Sequence, residues 1–156
     1  MRVVVNTSPL IALDRIGRLE ILRALYGTVV RPQSVLEELK AGRGCCEMSS
    51  ALCDADWIVT EPDPAEAVLR RELGPGEMAA IALAVRTKAD LIILDDLQAR
   101  FLADSVGLRL TGTLGVLMAA FKAGHITDVN RAVADLQASG FRVSERLVEH
   151  IRRATE

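Results

Sequence analysis

The chain has 156 residues with a formal net charge of -2, 19 basic against 21 acidic side chains, and half of its residues are hydrophobic although only 3% are aromatic. That length fits one domain spanning 1–156, large enough to build a core without a metal or disulfide staple. The charge balance excludes a strongly basic nucleic-acid binder but not a local basic groove, and the scarcity of aromatics argues against stacking platforms for single strands.

The chain opens MRVVVNTSPLIAL. Val3, Val4 and Val5 are β-branched and suit a buried strand. Ser8 is placed to cap a following helix whose first residue is Pro9. Asn6 then falls in a strand-to-helix turn, where open α/β sheets collect ligands, although Asn is also an ordinary turn residue. Pro9 to Ile16 and Leu19 to Leu25 read as two short helices split at Gly17, and Thr28 to Arg31 as a brief strand. Pro32 opens the helix QSVLEELKAG, which stops at Gly42. At about 100° per residue, its apolar face centres between Val35, Leu36 and Leu39, with Glu38 at the flank and Glu37 pointing further out.

The stretch RGCCEMSSALCDAD is irregular and contains all three cysteines, Cys45, Cys46 and Cys53. An odd number with two adjacent is no disulfide framework, and His125 and His150 lie too far along the chain to complete a zinc site. With no secretory segment behind Met1 and no apolar run long enough for a membrane span, a reduced, cytoplasmic protein is expected. WIVTE is the next strand, and PDPAEAVLRREL reads as an exposed helix or a helix with a frayed start. Gly74-Pro75-Gly76 is a break before the apolar helix Glu77 to Lys88, with Glu77 in its first turn, where the helix dipole favours a carboxylate. The strand LIIL follows and ends in Asp95-Asp96.

Leu97 to Val106 continues as a helix, and Leu108 to Leu110 is a short strand ending in Thr111-Gly112-Thr113. Leu114 to Ala123, Asp128 to Ala138 and Ser144 to Arg153 are the last helices. Strands alternating with helices imply an α/β fold, a parallel sheet with helices on both faces. In such a sheet Asn6 and Asp95-Asp96 end apolar strands at one crevice, and Glu38 and Glu77 approach from helices. Each acid singly has an ordinary reading as a cap or a solvated side chain. As a cluster they repel unless a cation joins them, and oxygen donors without histidine or thiolate favour Mg²⁺ or Mn²⁺.

VVVNTSPLIAL, SVLEEL, GPGEMAAIALA and LIILDD, in this order, resemble the PIN-domain family, in particular the branch carrying a TGTLGVL segment, here Thr111 to Leu117. The resemblance covers almost the whole chain. It implies a three-layer α/β/α fold with strand order 3-2-1-4-5 and a Mg²⁺- or Mn²⁺-dependent ribonuclease, often the toxin of a toxin-antitoxin pair. RNA and an antitoxin protein are the implied partners, together with a homodimer. Position by position, the family's first-strand acid falls on Asn6, the helix glutamate on Glu38, the mid-chain acid on Glu77 and the strand-end acid on Asp95 or Asp96.

The family's usual context at the first position is DTS, where this chain has NTS. Asn still offers a carbonyl oxygen, but one negative charge is gone and metal affinity should fall. For phosphodiester hydrolysis, Glu38, Glu77 and Asp96 would hold the metal, Thr7, Ser8 or Thr113 would position water or phosphate, and Arg100 would counter phosphate charge. The alternative is a non-catalytic PIN-like module that binds RNA or a partner protein. A Rossmann-type nucleotide site is disfavoured because Thr111 to Gly115 lacks the GxGxxG spacing and does not follow the first strand. A phosphoacceptor receiver is disfavoured by the lack of a lysine at a late strand end.

Overall fold

The structure, a computed structural model, describes residues 1–42, 49–65 and 73–155. Five short strands form one parallel sheet in the order β3-β2-β1-β4-β5. These are β1 (Val3–Val5), β2 (Val29–Pro32), β3 (Ile58–Glu61), β4 (Leu91–Ile93) and β5 (Leu110–Thr111). Strands β1 and β4 carry only valine, isoleucine and leucine, as strands covered on both faces favour. Strand β1 pairs level with β4, Val3 opposite Leu91 and Val5 opposite Ile93, so both chains leave the sheet at the same height. Asn6 N–H continues the ladder to the Ile93 carbonyl at 3.1 Å.

Side-chain alternation divides the core into two layers. Val3, Val5 and Ile93 face α1 (Thr7–Arg15), α2 (Glu20–Tyr26), α7 (Thr113–Lys122) and α8 (Val129–Ala138). Val4, Ile92 and Leu94 face α5 (Pro75–Arg86) and α6 (Leu97–Ser105). Helix α3 (Gln33–Lys40) sends Val35 and Leu39 into the first layer while its flank lies along α5. Helix α9 (Glu145–Ala154) closes the chain and buries Ile151 in the first layer.

Several boundaries differ from the sequence reading, and the causes are local. Asn6, not Ser8, occupies the N-cap position of α1, because the β1 ladder runs to the Asn6 amide and the chain turns helical at Thr7. Pro32 is the last residue of β2, and Pro75 and Gly76 open α5 instead of lying in a break before it. Pro75 stands at the first helical position, where no N–H partner is needed, whereas Pro32 stays extended as the residue before α3. A short helix, α4 (Ser50–Cys53), lies within the stretch read as irregular, with Ser49 capping Leu52 N–H. Pro62 to Ala65 are not helical, and residues 66–72 of the expected helix lie outside the described residues. Cys45 and Cys46 also lie outside them, while Cys53 is exposed. Among the described residues no helix is long and apolar enough to cross a membrane.

Candidate active site

The carboxyl ends of the all-aliphatic strands β1 and β4 carry a polar cluster. Asn6 is 2% exposed, and its Oδ1 has no hydrogen-bond partner. A buried acceptor left alone costs about 1–3 kcal/mol, so such an atom calls for a ligand or water.

Thr7 and Glu38 are joined across α1 and α3, with the Thr7 hydroxyl donating to Glu38 Oε2 at 2.5 Å. The other carboxylate oxygen, Oε1, accepts from Gly76 N–H at 3.0 Å. Glycine at 76 allows this approach, since a Cβ there would stand 2.7 Å from both Glu38 oxygens. Glu77, the third residue of α5, turns back so that Oε2 accepts from Gly74 N–H at 3.0 Å. Its pKa is raised, first by burial and further by the charges of Asp96 and Glu38, against the Gly74 hydrogen bond that lowers it. The charges of Glu38 from α3 and Asp96 from the end of β4 therefore both reach Glu77 on α5.

The structure separates the adjacent aspartates that the sequence reading placed together. Alternation sends Asp95 to the face of Ile93 and Asp96 toward α5, where Ile92 and Leu94 point. Asp95 is held by α7: Thr113 N–H donates to Oδ1 at 2.7 Å and the Thr113 hydroxyl to Oδ2 at 2.6 Å. Burial raises the Asp95 pKa, while the Thr113 bonds and the nearby Arg100 charge oppose the rise. Through these two bonds Asp95 ties β4 to α7. Asp96 caps α6 through Oδ2, which accepts from Ala99 N–H at 2.9 Å.

The residues expected to contact substrate have these surroundings in the fold. Thr113 is fully buried and committed to Asp95, and Thr7 is committed to Glu38, so neither hydroxyl is offered to a phosphate. Arg100 is half-buried and folds back on the strand end, donating through Nη1 to the Leu94 carbonyl at 3.3 Å. Ser8 is exposed and lines a groove on the other flank of α1. Sequence reasoning missed the two seating glycines. Gly112 lies so close to Asp95 and Arg100 that a Cβ would meet Arg100 Nη1 at 2.5 Å and Asp95 Oδ1 at 2.8 Å. The available signal was a glycine beside each site residue, Gly76 before Glu77 and Gly112 before Thr113.

The donors are all hard oxygens, and the orphaned Asn6 Oδ1 lies at the same sheet end as Glu38, Glu77 and Asp96. Among the described residues, however, no three acidic, histidine or cysteine side chains converge closely enough to cage an ion. That combination fits a hydrated divalent cation, which keeps several waters and takes one or two direct carboxylates, better than a dehydrated ligand cage.

A doubly wound parallel sheet with acids from separate elements gathered at its carboxyl edge is the class to which this protein belongs. A PIN-domain family model matches residues 2–156, and the chain belongs to the PIN-domain family. Among solved structures it is similar to a PilT N-terminus domain protein from the hyperthermophilic archaeon Sulfolobus solfataricus P2, with a TM-score of 0.58 and 19% identity over 77% of this chain and 93% of the other. At that identity the likeness concerns the fold, whose strand order agrees with the one expected above. A comparison with curated protein sequences gives no match.

Proposed function

We propose that this PIN domain is a Mg²⁺- or Mn²⁺-dependent ribonuclease that hydrolyses phosphodiester bonds of RNA in the cytoplasm, as the toxin of a toxin-antitoxin pair. The observation that supports the reading is the buried, unpartnered Asn6 Oδ1 at the sheet end where the charges of Glu38 and Asp96 both reach Glu77. Asp96, Glu77 and Glu38 would hold a divalent ion there, directly or through water, with Asn6 adding a neutral oxygen, and the ion would supply Lewis acidity toward a phosphoryl oxygen and toward bound water. Glu77 would keep Oε2 on Gly74 N–H, which leaves Oε1 free to accept a proton from water. Asp95 and Thr113 fix the geometry from behind. Leu97 and Phe101, each 80% exposed on the helix that Asp96 caps, support a protein surface for an antitoxin and for homodimer formation.

The test is cleavage of single-stranded RNA by purified protein in Mn²⁺, with chelator and Asp96→Asn as controls. Asn keeps an oxygen for the Ala99 N–H, so the cap survives while the charge is lost. Cleavage that stops in chelator and in Asp96→Asn upholds the reading, and cleavage indifferent to both overturns it. One observation favours a second reading, a non-catalytic module that binds RNA or a partner protein. Each of the three acids already accepts a hydrogen bond within the protein, and no three of them are close enough to share an ion directly. RNA binding without metal-dependent cleavage is the outcome that selects it.

A further inference from the structure

Helix α1 divides its first turn between two environments. Thr7 faces α3 and Glu38, whereas Ser8, the next residue, opens a groove of about 230 Å³. The groove follows α1 past Ile11 to Arg15, and its other wall is the turn after α8, with Ser139, Gly140 and Phe141. Positions 8, 11 and 15 recur at helical spacing and give one continuous face, ~10 Å long at 1.5 Å per residue. Gly140, at φ 98, reverses the chain so that Phe141 N–H returns to the Leu136 carbonyl at 3.0 Å. That turn sets the aromatic ring opposite α1.

The lining differs in charge from the acidic cluster beside it. It holds Phe141, two serines and Arg15, and no acid. An aromatic face accepts a base of any sequence, and a guanidinium matches a phosphate with a forked pair of donors. The groove begins one residue from the threonine that holds Glu38. A strand whose phosphate lies at the acids therefore has an adjoining channel of suitable charge and length.

We propose that this groove binds the nucleotide next to the scissile phosphate of a single-stranded RNA, its base against Phe141 and its phosphate on Arg15. The word scissile rests on the nuclease reading, but binding in the groove does not. The experiment measures affinity for a short, fluorescently labelled, phosphorothioate-linked RNA by anisotropy in Mn²⁺ across a salt series. In parallel, cleavage of the ordinary RNA is followed.

Arg15→Glu is expected to weaken binding about tenfold and to lower the salt slope by ~0.7, the value of one single-strand phosphate contact. Arg15→Lys is expected to recover most of the affinity. Arg23→Glu makes the same charge change on α2, away from the groove, and is expected to stay within about twofold of wild type. Unchanged affinity in Arg15→Glu overturns the proposal, as does equal weakening in Arg23→Glu, which assigns the effect to overall charge. Wild-type protein that binds no RNA also overturns it and leaves the groove to a protein segment. Arg15-dependent binding with no cleavage in any metal upholds the groove and refutes the nuclease reading.

Discussion

Replacing Gly76 by alanine puts a methyl group where the Glu38 carboxylate lies. The added Cβ would be 2.7 Å from Oε1 and Oε2 and 2.9 Å from Cδ. Ordinary contact is about 3.5–4.0 Å, so the carboxylate must retreat by roughly 1 Å, leaving the Gly76 N–H and straining the bond from Thr7. Hydrogen bonds to a charged group contribute about 1.5–3 kcal/mol, the upper end belonging to buried sites, and Glu38 is only half-buried. Alanine returns about 1 kcal/mol through helix propensity. The net loss is therefore ~1 kcal/mol, or about 2–4 °C in Tm for a domain of this size. The effect on the site is larger than the effect on the fold, because Glu38 no longer points at its neighbours.

Gly74→Ala is the control, since its Cβ would meet Glu38 Oε1 and Glu77 Oε2 at 3.9 Å, an ordinary contact. That change lowers stability by at most about 1 kcal/mol through the weaker N-cap and leaves the carboxylates in place. Melting curves, calorimetric titration with Mn²⁺ and hydrogen exchange at amide 76 separate the two variants. Gly76→Ala is expected to lose both Mn²⁺ affinity and amide protection, and Gly74→Ala to keep both. A Gly76→Ala protein that retains protection at amide 76 refutes the seating of Glu38 described above.

Thr113→Val removes the hydroxyl from the buried Asp95 pair and is expected to cost about 1.5–3 kcal/mol, a fall of roughly 3–12 °C in a thermal melt. An unchanged Tm contradicts the role given to Asp95. Glu77→Gln preserves an acceptor for Gly74 N–H and removes a charge that burial, Asp96 and Glu38 all disfavour. A carboxyl whose folded pKa is raised stabilises the fold fully below its unfolded value, and that contribution is lost as pH rises through the folded value. Melting in chelator should therefore show Glu77→Gln more stable than wild type at neutral pH by about 0.5–1 kcal/mol, with the gain shrinking as pH falls toward the ordinary carboxylate range. Expression of the wild-type chain in a bacterial host should arrest growth, and Asp96→Asn should relieve the arrest. Equal arrest by both proteins contradicts the assignment of toxicity to this site.

The strands, and the place of the candidate acids at the sheet's carboxyl end, were legible in the sequence for a simple reason. Aliphatic runs such as VVV and LIIL have few other places to go in a domain of this size, and a polar residue that ends such a run must lie at the sheet's edge. Glu38 was also legible, because helical spacing placed it at the flank of a clear apolar face. The different fates of Asp95 and Asp96 were not, although period-two alternation from Ile93 and Leu94 already sends them to opposite faces. Which face holds a hydroxyl depends on Thr113, and its position is fixed only when β5 pairs with β4. The Gly74-Pro75-Gly76 segment was read as a break because its local composition says turn. Its role is tertiary, as the backbone on which the Glu38 carboxylate rests. Asn6 replaced Ser8 at the start of α1 for a related reason, since ladder pairing with β4 decides where the strand ends.

The most direct measurement of the central claim is Mn²⁺-dependent cleavage of single-stranded RNA by Asn6→Asp beside the wild-type protein, with melting curves of both in chelator and in Mn²⁺. Asn6 Oδ1 is buried and unpartnered, so a carboxylate there is costly without a cation and favourable with one. The account predicts that Asn6→Asp melts below wild type in chelator, is stabilised more by Mn²⁺, and cleaves faster at limiting metal with little advantage at saturation. A variant that melts lower, gains nothing from Mn²⁺ and cleaves no RNA would contradict it.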